Sequence, residues 1–310
     1  AMESDNSVVL LGEDIGINGG VFRATNGLLE KFGEQRVIDS PLAETMIAGL
    51  AVGMSAQGMK PVIEAQFMGF IYPMVEQIIC HASRMRHRTR GRLSCPMVLR
   101  APFGGGIHAP EHHSESTEAI FAHMPGVRVV IPSSPTRAYG LLLAAIRDPD
   151  PVIFLEPKRI YRLNREEVKD NGEDLPLDVC FVLRDGSDIT LVTWGSMIKE
   201  TLEAADKLAQ QGISAEVIDV ATISPLDMET IVESVQKTGR CVIIHEAPRM
   251  CGVGAEIAAG LADTAIFHLH APIKRVTGYD SVMPLYRMEK QYMPCVKRIL
   301  GAVMEVMEVS

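Results

Sequence analysis

Short apolar runs alternate along the whole chain with longer segments in which apolar positions return every three or four residues. Apolar runs of about four to eight residues between turn signals predict buried strands, and the longer periodic segments predict the helices between them. This is the pattern of an α/β protein, with mainly parallel sheets flanked by helices on both faces. In the first half, strands are predicted at Val8–Leu11, Val62–Gln66, Met97–Arg100, Val127–Ile131 and Val152–Leu155. A helix of small residues from Glu44 to Gln57 ends at Gly58, a residue suited to a helix C-cap. Another helix is predicted from near Phe70 into the basic run Arg84, Arg86, Arg88, Arg90 and Arg92. Those arginines offer a phosphate site or, more simply, cations favoured by the dipole at a helix C-terminus.

Polar, acidic and proline-containing sequence between Pro157 and Asp188 interrupts the alternation and predicts a linker. It divides the chain into a first domain over 1–180, with the linker starting at about 157, and a second over 181–310. Predicted strands of the second block are Ile189–Thr193, Ala215–Asp219, Cys241–His245 and Ile273–Val276. Its helices fall near Met197–Gln210, Leu226–Gln236, Gly254–Leu261 and Pro294–Met307. No internal repeat or low-complexity tract appears.

A length of 310 residues exceeds the usual single core and agrees with two domains. With 47% hydrophobic and 22% charged residues, the chain has the composition of an ordinary globular protein and a core of good size. The longest apolar stretches, such as Leu141–Ile146, fall far short of the roughly 20 residues of a membrane span. The opening AMESDNS has neither the basic start nor the apolar run of a secretory signal, so an intracellular or already processed protein is expected. Cys80, Cys95, Cys180, Cys241, Cys251 and Cys295 are scattered without a CxxC pair, which predicts reduced core thiols rather than disulfides or zinc. A net charge of -9 argues against nucleic acid or an anionic membrane as the main partner.

Four segments have the residue types of a site. In Asp39-Ser40-Pro41-Leu42-Ala43-Glu44, a carboxylate stands at a helix start, where an ordinary first-turn acid would also be stabilised. In Glu64-Ala65-Gln66-Phe67-Met68-Gly69-Phe70, a buried strand ends in a glycine and an aromatic, at the place where parallel sheets bind ligands. That aromatic either stacks on a flat heterocycle or packs in the core. In Gly104-Gly105-Gly106-Ile107-His108-Ala109-Pro110-Glu111-His112-His113-Ser114-Glu115, three histidines ride on a glycine-rich loop. Pro110 and the glycines oppose the regular helix that a His108/His112 metal pair would need. Ser114 lacks a GxSxG elbow, so a general acid-base histidine is the simplest reading. Finally, Gly252-Val253-Gly254-Ala255-Glu256-Ile257 imitates a dinucleotide fingerprint poorly, since Ile257 stands where a third glycine or alanine belongs. No GxxxxGK[ST] loop is present to support an ATPase.

Gly12-Glu13-Asp14, Gly19-Gly20-Val21-Phe22-Arg23, Ser40 to Glu44, Gln66-Phe67 to Phe70 and His112-His113-Ser114-Glu115-Ser116 together closely resemble the β subunits of thiamine-diphosphate-dependent 2-oxo acid dehydrogenases. The likeness continues through Pro125 to Pro132, Ala145 to Pro151 and Ser224-Pro225-Leu226-Asp227, and so covers nearly the whole chain. It implies a transketolase-like pyrimidine-binding domain followed by a transketolase C-terminal-type domain. It also implies assembly with an α subunit as an α2β2 heterotetramer, and decarboxylation of a 2-oxo acid with transfer of the acyl group to a lipoyl-bearing acyltransferase. Pyruvate is the expected substrate, before branched-chain 2-oxo acids and then acetoin; a non-catalytic assembly subunit is the contrasting reading.

By position, the resemblance makes Glu44 the carboxylate that hydrogen-bonds the ring nitrogen of the cofactor's aminopyrimidine. It makes Phe70 the aromatic that stacks on that ring, Gln66 a neighbour of it, and His113 the active-site histidine; His112 receives no role. Relatives hold the diphosphate and magnesium with a GDG motif and a following asparagine pair, and this sequence has neither. The resemblance therefore implies that thiamine diphosphate is shared, that the α subunit holds magnesium and that the β chain supplies no ligand to it, and it leaves open a structural potassium near Asp148. It places the protein in the bacterial cytoplasm, or in the mitochondrial matrix if the source is eukaryotic. Gly49 and Gly53, four residues apart on the small-residue helix, would let a helix of a partner or of the same chain approach closely.

Overall fold

The structure, a computed structural model, describes residues 1–163 and 165–309. Its strands are β1 (Val8–Gly12), β2 (Val37–Asp39), β3 (Lys60–Glu64), β4 (Val98–Phe103), β5 (Arg128–Val130), β6 (Val152–Pro157), β7 (Phe181–Arg184), β8 (Ile189–Thr193), β9 (Ala215–Asp219), β10 (Thr222–Ser224), β11 (Cys241–Ile244) and β12 (Lys274–Val276). They form a seven-stranded sheet in the order β10-β5-β6-β4-β3-β1-β2 and a five-stranded sheet in the order β12-β11-β8-β9-β7. Among the described residues, only the edge strands β10 and β7 run antiparallel to their neighbours.

Burial on both faces explains why the central strands read as unbroken apolar runs rather than as alternations. Successive residues serve different cores. Leu11, Ile63, Leu99 and Ile153 point into one, while Leu10, Val62, Val98 and Val152 point into the other. Each such side chain, fully withdrawn from water, contributes roughly 1.5–3 kcal/mol. The first of these cores also takes in Val192, Trp194, Ile243 and Ile257 of the second sheet and its helices, so one apolar layer joins the two halves.

The helices are α1 (Leu28–Phe32), α2 (Glu44–Ala56), α3 (Met85–Arg88), α4 (Glu118–Ala122), α5 (Pro135–Arg147), α6 (Ile198–Ala209), α7 (Met228–Thr238), α8 (Val253–Ala265), α9 (Tyr286–Tyr292) and α10 (Val296–Met307). Local chemistry sets several of their ends. The Ser134 hydroxyl accepts from the Arg137 N–H at the start of α5, where Pro135 occupies the first turn. Asp227 does the same for Thr230 at the start of α7, which stops at the left-handed Gly239. By contrast, α2 begins at Ala43 without a side-chain cap.

Three sequence expectations change. The helix predicted from Phe70 is broken into 3-10 turns, a π-helical stretch at Gln77–His81 and the short α3. Ile71, Met74, Ile78 and Ala82 of this segment all lie in the core. The predicted linker contains β7, which pairs with β9. Strand β10, from the second half of the sequence, joins the first sheet beside β5, with Thr222 opposite Val130. Both strands depend on pairing with distant partners.

Candidate active site

Strands β1, β3, β4 and β6 are parallel neighbours, so their C-terminal ends open on one side, where α/β sheets receive ligands. After Glu64 ends β3, the chain runs through Gln66 and Phe67 into a 3-10 turn at Met68–Phe70. Met68 is buried in the core, while Gln66, Phe67 and Phe70 remain half-buried. From β4 the glycine-rich loop leads to a second turn, Glu111–His113, which returns the histidines to the aromatics. Ring centroids are 4.5 Å apart for Phe67 and His113, 5.2 Å for Phe70 and His113, and 5.1 Å for Phe70 and His112. Gly69 makes this possible, because a Cβ there would lie 1.8 Å from the His112 carbonyl oxygen.

His113 is half-buried, and its Nδ1 is buried without a hydrogen-bond partner among the described residues. A buried ring nitrogen without a partner costs about 1–3 kcal/mol, which a polar group from outside the chain would offset. Phe67 also packs on Phe22 at 5.6 Å, and Phe22 on Tyr161 at 5.0 Å, completing an aromatic wall. Behind it the buried Lys158 ammonium stands 5.8 Å from the Phe67 ring centre. Burial pulls the Lys158 pKa down to about 8, against the opposing influence of Glu246 and Glu289.

Glu44 is the first residue of α2 and is half-buried. The Thr45 hydroxyl donates to the Pro73 carbonyl at 2.9 Å, tying the start of α2 to the segment just beyond Phe70. Glu13, after β1, has its carboxyl raised above the ordinary range by burial, then by the charges of Asp14 and Glu44. The structure thus brings Phe70 and His113 into contact, with Gln66 one residue from Phe67 and Glu44 on an element anchored beside them.

The site rests on an ion network inside the first sheet. Arg100 grips Glu156 with two nitrogens, at 2.6 and 2.9 Å, and Glu64 with a third at 2.9 Å. The Tyr161 hydroxyl donates to Glu156 as well. Sequence reasoning missed this network, together with Phe67, Lys158, Glu246 and Glu289. Only the side-by-side register of β3, β4 and β6 reveals it.

Other candidates find structural roles. His108 Nδ1 pairs with Glu289 at 3.1 Å, and no cluster of three metal-ligand residues exists among the described residues. Ser114 is buried and donates to the Pro110 carbonyl at 3.1 Å. Gly254 serves packing, since a Cβ there would meet His245 Nε2 at 2.8 Å; that histidine stacks on Trp194 at 5.1 Å. The Asp148 carboxylate is engaged by Arg128 at 3.2 Å. Arg86 pairs with Asp150 at 2.8 Å, and the last turn of α3 holds Arg86, His87 and Arg88. Gly53 faces open space, while Gly49 meets Gln77 at 3.7 Å, at the start of the π-helical stretch of the same chain.

Glu118, in the first turn of α4, is fully buried. Burial above all, aided by the charge of Glu246, pushes its carboxyl up to about 7 from an ordinary 4.5. Between those values the folded chain keeps a proton that the unfolded chain releases, so this group's contribution to stability is lost as pH rises through the window. Glu118→Gln is therefore expected to raise Tm by a few degrees at pH 8, with the gap closing by pH 5. Calorimetry across that range checks it, and a gap independent of pH would contradict the account.

Comparison with known proteins bears on what this geometry is for. The family model described as transketolase, pyrimidine binding domain, matches residues 1–164, and that described as transketolase, C-terminal domain, matches residues 180–299. A protein of Bacillus subtilis (strain 168) named pyruvate dehydrogenase E1 component subunit beta is 47% identical over 307 residues, covering 99% of this chain and 94% of the relative. Its namesake in Acholeplasma laidlawii is 50% identical over 303 residues, covering 98% and 93%. A solved structure described as a split gene transketolase, inactive beta4 tetramer, superposes with a TM-score of 0.79 at 23% identity, over 99% of this chain and 94% of that one. That likeness concerns the fold.

Proposed function

Since the chain belongs to the family of pyruvate dehydrogenase E1 β subunits, built on transketolase-type pyrimidine-binding and C-terminal domains, we propose that it uses shared thiamine diphosphate to decarboxylate pyruvate and passes the acyl group to a lipoyl domain. It is an oxidoreductase subunit acting on 2-oxo acids, and it works in an E1 complex with an α subunit. No helix among the described residues is long and apolar enough to cross a membrane. In this reading the partner assembly is an α2β2 heterotetramer located in a bacterial cytoplasm, and a lipoyl-bearing acyltransferase accepts the product. Residues 1–180 act as the pyrimidine-binding unit and residues 181–310 as the second domain.

The residues present suit the pyrimidine end of the cofactor: a half-buried carboxylate, a half-buried ring and an orphaned histidine nitrogen. When bound, thiamine diphosphate supplies an electron sink for cleavage next to a carbonyl. Glu44 would hold a proton at a carboxyl oxygen against the ring nitrogen, Phe70 would stack on the ring face, and Gln66 would border it. His113 would orient the 2-oxo acid and donate a proton from its ring. The diphosphate and magnesium belong to the α subunit; a structural potassium near Asp148 would draw on backbone oxygens, since the Asp148 carboxylate is already paired with Arg128 at 3.2 Å.

The observation that carries this reading is the contact of His113 with Phe67 and Phe70 at the carboxyl ends of the parallel strands. Its test is reconstitution with the α subunit, followed by steady-state kinetics on pyruvate, branched-chain 2-oxo acids and acetoin. Pyruvate should have the highest kcat/KM by at least about tenfold, the discrimination that one or two methylenes provide. A preference for either alternative would reassign the substrate, and loss of nothing on removing this chain would make it an assembly subunit.

A further inference from the structure

The geometry points to two carboxylates of the second domain, Glu246 and Glu289, as positioning residues that hold the first domain's histidine loop against the aromatic wall. This deepens the reading of His113 given above and rests on it. The loop from Gly104 to Ser116 carries His108, His112 and His113. Glu246 lies just beyond β11 and is buried. Its Oε1 accepts from the Gly105 N–H at 3.2 Å and from the Ser116 hydroxyl at 2.8 Å, one at each end of the loop. Its Oε2 accepts from the Ser196 hydroxyl at 2.6 Å, in the turn after β8. One side chain therefore staples both ends of the loop to the second sheet.

Glu289, buried on α9, reaches the middle. It accepts from the Gly106 N–H at 2.8 Å and the His108 N–H at 3.2 Å, and pairs with His108 Nδ1 at 3.1 Å. Between the staples the Gly104 N–H closes the neck on the Glu115 carbonyl at 2.9 Å. Gly104 and Gly106 have φ of 80° and 87°, and a Cβ on Gly104 would lie 1.9 Å from Glu246 Oε1. The glycines are what let backbone N–H groups turn toward the carboxylates, yet they also leave the loop little stiffness of its own. The hydrogen bonds from Gly105, Gly106, His108 and Ser116 to the two buried side chains supply the missing stiffness. Proton transfer needs that, because a shift of about 1 Å in a positioned group can cost up to about 100-fold in rate.

The test uses the enzyme reconstituted with its α subunit and reads two quantities, kcat and KM for the 2-oxo acid, and amide hydrogen exchange across 104–116. Glu246→Ala should speed exchange in that loop while leaving 189–193 and 241–244 protected, and lower kcat by about 10-fold or more with KM within about twofold. Glu246→Gln keeps an acceptor for Gly105 and Ser116 and offers its amide to Ser196, so it should restore most of both quantities. Unchanged loop exchange in the alanine variant, loosening spread equally through both strands, or no rescue by glutamine would each overturn the proposal. Should the alanine variant not assemble, Ser116→Ala removes one staple and should still speed exchange locally; no local change would count against it. Exchange reports the staples whether or not His113 transfers a proton, so a failure here is separable from a failure of the catalytic assignment.

Discussion

Glu44→Gln is expected to lower kcat of the reconstituted enzyme by about 10²–10⁴-fold, the range lost when a positioned proton-transfer group is removed. Glutamine matches glutamate in size and keeps a half-buried amide at the start of α2, so packing of Ile47, Ala48 and Ala51 below it should not change. What it cannot do is share a proton with a ring nitrogen. Circular dichroism and assembly with the α subunit should match the wild type, confining the defect to turnover. Activity within about tenfold of wild type would remove Glu44 from the mechanism and revive the reading of a non-catalytic subunit.

Replacing Arg100 with methionine should have the largest effect on stability, a loss of about 3–5 kcal/mol, as is usual when one partner of a buried ion network is removed. The guanidinium is buried, as are both carboxylates it holds. Burial already works to raise the Glu64 carboxyl, and the Arg100 charge opposes it. Without Arg100, Glu64 and Glu156 would face each other uncompensated at the base of the site. Denaturant unfolding should show the full deficit near neutral pH, and the deficit should shrink in acid as the two carboxyls take up protons. A loss below about 1 kcal/mol would mean that water or a shifted side chain replaces the arginine. Because Glu64 lies two residues before Gln66, activity should fall together with stability.

The α/β class, the central strands and the main helices were legible from local pattern. β8 and β9 occupy the ranges their apolar runs predict, and α2 and α10 lie within a few residues of theirs. Strands buried on both faces and helices with one apolar stripe carry their signal within a single window of sequence, so long-range packing need only accept it. The resemblance to a family also singled out Glu44, Gln66, Phe70 and His113, because those residues sit in short stretches of distinctive order. Local pattern failed where packing overruled it. The segment after Phe70 keeps its apolar face in the core but breaks into 3-10 and π-helical pieces, and β7 and β10 exist only because β9 and β5 offer them an edge.

The loop that carries the histidines shows the division most clearly. Its glycines announce a flexible turn after a strand, and its histidines announce acid-base chemistry, all within a dozen adjacent positions. Its resting place depends on Glu246 and Glu289, which stand 141 and 183 residues from the glycines they bind. No window of sequence spans that distance, and a glutamate after a strand or on a short helix looks like any surface acid until folding buries it. Short-range preferences therefore chose the strands, helices and turns, while contacts between remote segments chose which charges lost their water and which nitrogen was left without a partner.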